Sequence, residues 1–435
     1  MNKIFKILWS SEKGTFVVTH ERVKSRGNTG SILNNSTTVR FKLSSLTLFI
    51  LLSFSNHVWG QSVVNPVVTA GSANVNLSNP AKVVVNQQSD KAVINWKEFS
   101  IPRQNSVTFK QPGSQSITLN RVTGRHQSEI HGSLEANGQV WLLNPNGTLI
   151  GKYGTVNAHG FMATTANISD QNFMRGNYEF KTKKYSESKI RNLGVIDVND
   201  NGYTILAAGS VINDGLIVAR FGKITLGSGE AYTIDVVGDE LLSFEINIPL
   251  SDKNQKGVEN FGKLSANGGL IMLTAKAVDA LMHDIVNTNG LVEATSIEQK
   301  NGVIILSAGD SSKIKVSGIV DASGKNPGET GGYVEIFGRD ISLSDSFIDV
   351  TGEFSGGKVL IGGGWKGSKV GNNNPAKKVT VDVNSIIDAS ATTSGDGGDI
   401  VIWSDVPDPA SETRVHGDLR ADGGGFLFFI IVFIF

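Results

Sequence analysis

The chain has 435 residues, enough for one long fold or two ordinary domains. It contains no Cys, which excludes a disulfide framework and any thiolate metal site. With 50 Gly, 10 Pro and 18% charged residues, the composition suits many short strands joined by glycine turns and excludes a helical bundle or a disordered chain. Overall, 40 basic residues balance 40 acidic ones, but the first 60 residues hold 8 basic and 2 acidic. The remainder therefore has 32 against 38, a net charge of −6. Such a mildly acidic chain is no nucleic-acid binder by its field.

The N-terminal segment is basic and ends in an apolar run, residues 43–54, followed by Val58-Trp59-Gly60-Gln61. This pattern predicts a secretory signal with cleavage after Gly60. The run is too short to span a bilayer comfortably. Residues 61–81 carry no sustained period and are expected to form an N-terminal cap. From Val84 to Gly160, apolar and polar residues alternate between turns, with Asn144-Pro145-Asn146-Gly147 at a tight bend. Pro145 fixes φ and removes a donor, Asn side chains satisfy backbone groups locally, and Gly147 permits a left-handed residue.

An Asn-Gly turn followed by a β-rich run recurs at Asn137-Gly138, Asn201-Gly202, Asn267-Gly268 and Asn301-Gly302. Later units take a Gly-Gly form at Gly331-Gly332, Gly356-Gly357 and Gly397-Gly398. Asp-x-Ser/Thr turns lie between them at Asp321, Asp349 and Asp388. Units of this length cannot bury their own apolar face and must stack. The expected fold is all-β, a right-handed parallel β-helix with an N-terminal cap and small excursions; a β-sandwich array is the competing architecture. At roughly 20–25 residues per coil and a strand spacing of ~4.8 Å, the rod would be about 70–90 Å long. Excursions are expected at residues 170–190 and 231–261, the latter as a hairpin. The final ten residues, 426–435, are apolar without alternation, and are expected to be an accidental end, such as a frameshifted or truncated frame, rather than an anchor.

These residues together resemble a known family. The extended basic signal, INWKEFSI, LNRVTG, GQVWLLNPNGTLIGKYGTVN and GFMATTANIS are similar to the secretion domain of filamentous-haemagglutinin-like proteins, exported by two-partner secretion. The close resemblance covers residues 61–250, and 251–425 resembles the β-helical repeats of the large adhesins. It implies a β-helical secretion domain recognised by a cognate outer-membrane barrel transporter with periplasmic POTRA domains. The product would be secreted or held at the surface of a Gram-negative bacterium. The family's secretion motif maps onto Asn144, Pro145, Asn146 and Gly147. Other recurring segments map onto Asn95 and Trp96, and onto Asn120 and Arg121. Whether the 144–147 motif contacts the transporter or only shapes one coil stays open, the second being favoured. Trp96 and Trp141 are expected to be packed anchors.

Three functions compete. The first is an adhesin or haemagglutinin-like exoprotein with a host glycan or protein as receptor. The second is a cytolysin, haem-carrier-binding protein or contact-dependent toxin using the same secretion domain. The third is a β-helical polysaccharide-active enzyme. Repetition of Asp with Ser or Thr at one place in each unit points to turn ladders rather than paired catalytic carboxylates. The seven His are scattered and form no HExxH motif. No catalysis, cofactor, metal or nucleic-acid partner is expected.

Overall fold

A computed structural model describes residues 63–182, 188–235, 243–252, 254–278, 284–297 and 300–424, together with the strands Phe5–Ser10, Thr15–His20 and Val432–Phe433. The first two strands pair antiparallel as a separate unit. The apolar run at 43–54 and the cleavage point after Gly60 lie outside the described residues, as does the 426–435 tail apart from Val432–Phe433.

From Lys82 the chain winds through three strand faces per turn, forming a parallel β-helix. The first face begins with Lys82–Gln87, Ser106–Lys110 and Ser133–Ala136 and continues to Asp418–Arg420. The second begins with Lys91–Trp96, Ile117–Val122 and Gln139–Leu143. The third is a 10-stranded sheet running from Ser128–Ile130 to Glu412–Val415. Alternation decides which side of each strand faces inward. On the first face one inward column reads Val83, Val107, Leu134, Val156, Ile196 and Ile217, then Leu264, Val292, Val320, Ile348, Ile387 and Leu419, aliphatic in every coil. Eleven steps of ~4.8 Å make this column about 53 Å long. The rod is shorter than its residue count suggests because long loops and excursions consume chain without adding turns.

The N-terminal end is sealed as expected, and on all three faces. Val67–Ala70 pairs antiparallel with Lys91–Trp96, Ala73–Asn76 with Lys82–Gln87, and Val63–Val64 with Glu98–Phe99. Unpaired strand edges invite foreign strands, and antiparallel cover removes that hazard.

The corners are built from stacked small and amide residues. Where the third face turns into the first, Gly194, Gly215, Gly262, Gly290 and Gly318 stack coil on coil. A Cβ on Gly215 would lie 2.3 Å from the Gly194 carbonyl oxygen, and one on Gly262 2.1 Å from that of Gly215. No side chain fits there without moving backbone. Beside this stack runs a buried amide ladder: Asn192 Nδ2 donates to Asn213 Oδ1 at 2.8 Å, and Asn213 Nδ2 to Asn260 Oδ1 at 2.8 Å. It ends where Asn260 Nδ2 donates to Thr288 Oγ1 at 3.2 Å. The Asp-x-Ser/Thr turns use their carboxylates locally. Asp321 Oδ1 accepts from the Ser323 backbone at 2.9 Å, Asp349 Oδ1 from Thr351 at 2.9 Å, and Asp388 Oδ1 from Ser390 at 2.9 Å.

The two excursions form one layer. The helix Asp170–Arg175 is capped by Ser169 and ends at Gly176, φ 83°. Glu179–Lys181 then pairs antiparallel with Ala231–Asp235, which pairs with Ser243–Ile248 as the expected hairpin. The second excursion closes earlier than expected, because Gly257–Asn260 already belongs to the third face. This layer covers the outward side of the second face and makes a second core of Trp141, Phe173, Tyr178, Phe180, Tyr232 and Phe244. Ile205 is buried in this outer core, whereas Leu273 is in the interior one. A third small cluster, Phe337, Leu360, Val401 and Trp403, lies further along with Val370 of the 362–376 loop packed on it.

Candidate functional site

The eight motif residues lie on neighbouring coils near the capped end. Asn144 is fully buried, its backbone N–H donating to Thr164 O at 2.9 Å. Its amide Nδ2 donates to His126 O at 3.0 Å and to Ser128 Oγ at 2.9 Å. Its Oδ1 accepts from the backbone N–H and the Nδ2 of Asn146, both at 2.9 Å. Asn144 thus spends its donor on holding two successive coils in step and its acceptor on closing its own bend. Gly147 closes the β-turn by donating to Asn144 O at 2.9 Å. Its φ is 98°, and a Cβ there would meet Lys189 O at 2.5 Å. Asn146 Nδ2 also donates to Gly124 O at 3.0 Å, tying the bend to the end of the LNRVTG segment. Pro145 and Asn146 are the half-buried part of the motif.

Asn95, Trp96, Asn120 and Arg121 form the adjoining cluster. Asn95 stands opposite Arg121 in the parallel register. Trp96 points into the helix and is fully buried, packing edge-on to Phe99 with ring centroids 5.5 Å apart. Its indole Nε1 donates to the buried Asn120 Oδ1 at 3.0 Å, so this Trp polar atom is satisfied. Trp141 is equally buried but faces the other way, into the outer core, with Nε1 donating to Tyr203 OH at 2.7 Å. Burial pushes the Tyr203 phenol well above its usual range.

Arg121 is the hub of this region. Its Nη1 donates to Asn95 Oδ1 at 3.0 Å and to Asp170 Oδ1 at 2.6 Å. Its Nε donates to Asn167 Oδ1 at 3.0 Å and its Nη2 to Ile168 O at 2.6 Å. Asp170 in turn accepts from Thr69 Oγ1 of the cap at 2.7 Å. One guanidinium therefore ties together two coils, the start of the excursion helix and, through Asp170, the N-terminal cap. Burial opposes the charge on Asp170, but hydrogen bonds from Thr69 and Arg121 and the guanidinium charge outweigh it, holding the carboxyl below the usual range. Sequence reasoning named Arg121 but not its partners Asn167, Asp170 and Thr69. Thr69 and Asp170 lie in segments without a period, whereas Asn167 lies in GFMATTANIS, which resembles the family but does not reveal its partner.

Among the described residues there is no group of His, Cys, Asp or Glu that could hold a metal ion, and no helix long and apolar enough to cross a membrane. The motif surface can therefore organise hydrogen bonds and shape.

Comparison with known proteins accords with this geometry. Residues 62–325 match the TPS secretion domain, and residues 1–51 match the Extended Signal Peptide of Type V secretion system. The fold is similar to the crystal structure of the HMW1 secretion domain from Haemophilus influenzae, with a TM-score of 0.73 and 30% identity over 83% of this chain and 91% of that one. A heme/hemopexin-binding protein of H. influenzae strain Rd is 32% identical over 282 residues, 62% of this chain and 30% of the relative. A second H. influenzae heme/hemopexin-binding protein is 29% identical over 334 residues, 71% of this chain and 34% of the relative. The matched part thus spans about a third of the length of these relatives. The chain belongs to the TPS secretion-domain family, whose members are exported through the periplasm and outer membrane of Gram-negative bacteria.

Proposed function

We propose that this chain is a secreted or surface-held adhesin of haemagglutinin-like type, exported by a cognate outer-membrane barrel transporter that carries periplasmic POTRA domains. The observation that carries the export reading is the coincidence of the 144–147 and Arg121 clusters with a TPS domain behind an extended signal. Asn144 is fully buried, so it cannot touch a transporter once the coil has formed. Its task in the folded chain is to build the surface that Pro145 and Asn146 present. Transporter contact by the fully buried side chains of Trp96, Asn120 and Asn144 belongs to the unfolded chain in transit.

The names of the relatives favour a second reading of the bound partner, a haem carrier. A non-catalytic role is supported by the use of Asp321, Asp349 and Asp388 as local turn acceptors. The test is release from cells with and without the transporter gene. Export should require it, and Asn144→Ala should lower both release and thermal stability. Full release without any transporter would refute the proposal. Attachment of the released protein to host cells, against capture of a purified haem carrier, separates the two partner readings.

A further inference from the structure

The corner at which the first face turns into the second holds a feature outside the eight motif residues. A groove of about 920 Å³ runs along it beside the start of the second-face strands, from Gln139 to Val303. The register Gln139, Gly160, Tyr203, Lys223, Leu270, Val303 gives five coil steps, a length of about 24 Å at ~4.8 Å per step. Glycines line its floor: a Cβ on Gly222 or on Gly269 would lie 2.1 Å from the carbonyl oxygen of the coil before. The groove is therefore kept open along the axis by backbone that cannot carry side chains.

Its lip is built at a conformational cost. Asn201, Phe221 and Gly268 occupy the same turn position in successive coils, each just before a floor glycine, and have φ of 61°, 54° and 68°. Gly and Asn suit that left-handed position; a bulky aromatic residue there is an outlier. The turn thus needs a positive φ, and the sequence places Phe where Asn or Gly would be easier. The ring of Phe221 lies 2.6 Å from where a Cβ on Gly268 would stand, so Gly268 makes room for it. Arg220 and Lys300 stand over it at 4.4 and 5.2 Å from its centroid. Strained residues persist where surrounding structure holds them, and they gather at ligand sites. Along its length the groove presents the exposed amides of Gln115, Asn201 and Asn301.

We infer that this groove is a binding site for a linear oligosaccharide lying along the helix axis. A pocket of this size with an aromatic and aliphatic lining and a few convergent polar groups is the usual form of an organic-ligand site. A peptide adding as a strand would need a free strand edge, yet along this corner the neighbouring coils already pair with one another. Side-chain amides and ammonium groups match hydroxyl-rich ligands, and the Phe221 ring holds the Arg220 and Lys300 cations beside them. The inference rests on reading the exported chain as a binding protein, and it names the ligand class and the place.

The test is binding of the secreted protein to a panel of purified linear oligosaccharides, both neutral and uronate-bearing. Phe221→Asn reproduces the residue of the preceding coil, so the fold should keep its melting temperature. Binding should weaken at least about tenfold, which corresponds to about 1.4 kcal/mol. Asn301→Ala combined with Lys300→Ala gives a second reading should Phe221→Asn disturb folding. Failure of the wild-type protein to bind any oligosaccharide overturns the inference, as does undiminished binding by the folded variants. Host-cell attachment without oligosaccharide binding would sink this inference and leave the adhesin reading standing. Oligosaccharide binding without cell attachment would do the reverse.

Discussion

At the residue scale, Arg121 and Asp170 show how one ion pair is made to matter. The guanidinium side chain is 14% exposed and makes three further hydrogen bonds around the pair, unlike an isolated surface bridge. The sign of its pH dependence comes from the lowered Asp170 pKa. Its contribution to stability is present above the unfolded aspartate value of about 3.9 and is lost as pH falls through the lower folded value. Acid titration of the melting temperature should therefore show a smaller drop in Asp170→Asn than in the wild type, which starts higher. Parallel curves would remove the pair from the stability account. The sequence displayed Arg121 within LNRVTG, but its partners other than Asn95 lie 46 to 49 residues away. Contacts of that separation leave no period to read. Asn144 was legible for the opposite reason, since its turn is local and Pro145 and Gly147 announce it.

At the element scale the recurring unit is a strand, a corner and a strand, and most of it was legible. Alternation gave the inward aliphatic column, Asn-Gly and Gly-Gly gave the corners, and Asp-x-Ser gave the side-chain turns. What alternation conceals is the other side of the second face. Trp141, Met162 and Ile205 point away from the axis and would look like errors in a lone coil. They are buried only because the excursion layer arrives later in the chain. Phe180 and Tyr232 stack in that layer with centroids 5.4 Å apart, and Tyr232 and Phe244 at 4.9 Å. Truncating a fully buried aromatic costs about 3–5 kcal/mol. Phe180→Ala should accordingly lower the denaturant midpoint by an amount of that order and raise hydrogen exchange in Thr155–Thr164 and Val195–Ala207, beneath the layer. Exchange unchanged in those strands would mean that the layer is ornamental.

At the scale of the whole molecule, each coil contributes its inward residues only when the coil before it is in place. If a coil adds even ~1.4 kcal/mol, backsliding during export is disfavoured about tenfold per step. Leu273 stands between Leu226 and Leu306 in one inward column. Leu273→Asp should break that column and slow release from the cell, and the same change at Leu306 should act alike. Normal release despite weakened folding of the released protein would count against folding as the driving force. Ile205→Asp tests the outer core instead and should be judged separately.

The antiparallel cover over all three faces at the capped end also gives the molecule a direction in time. With residues 63–76 in place, one rim of every growing intermediate is closed and the other is a template. A partly assembled rod can then be extended only at its open rim, where the next segment of its own chain is tethered. Spatial order, chain order and order of emergence become one and the same, and two unfinished molecules meeting at their covered ends have nothing to exchange.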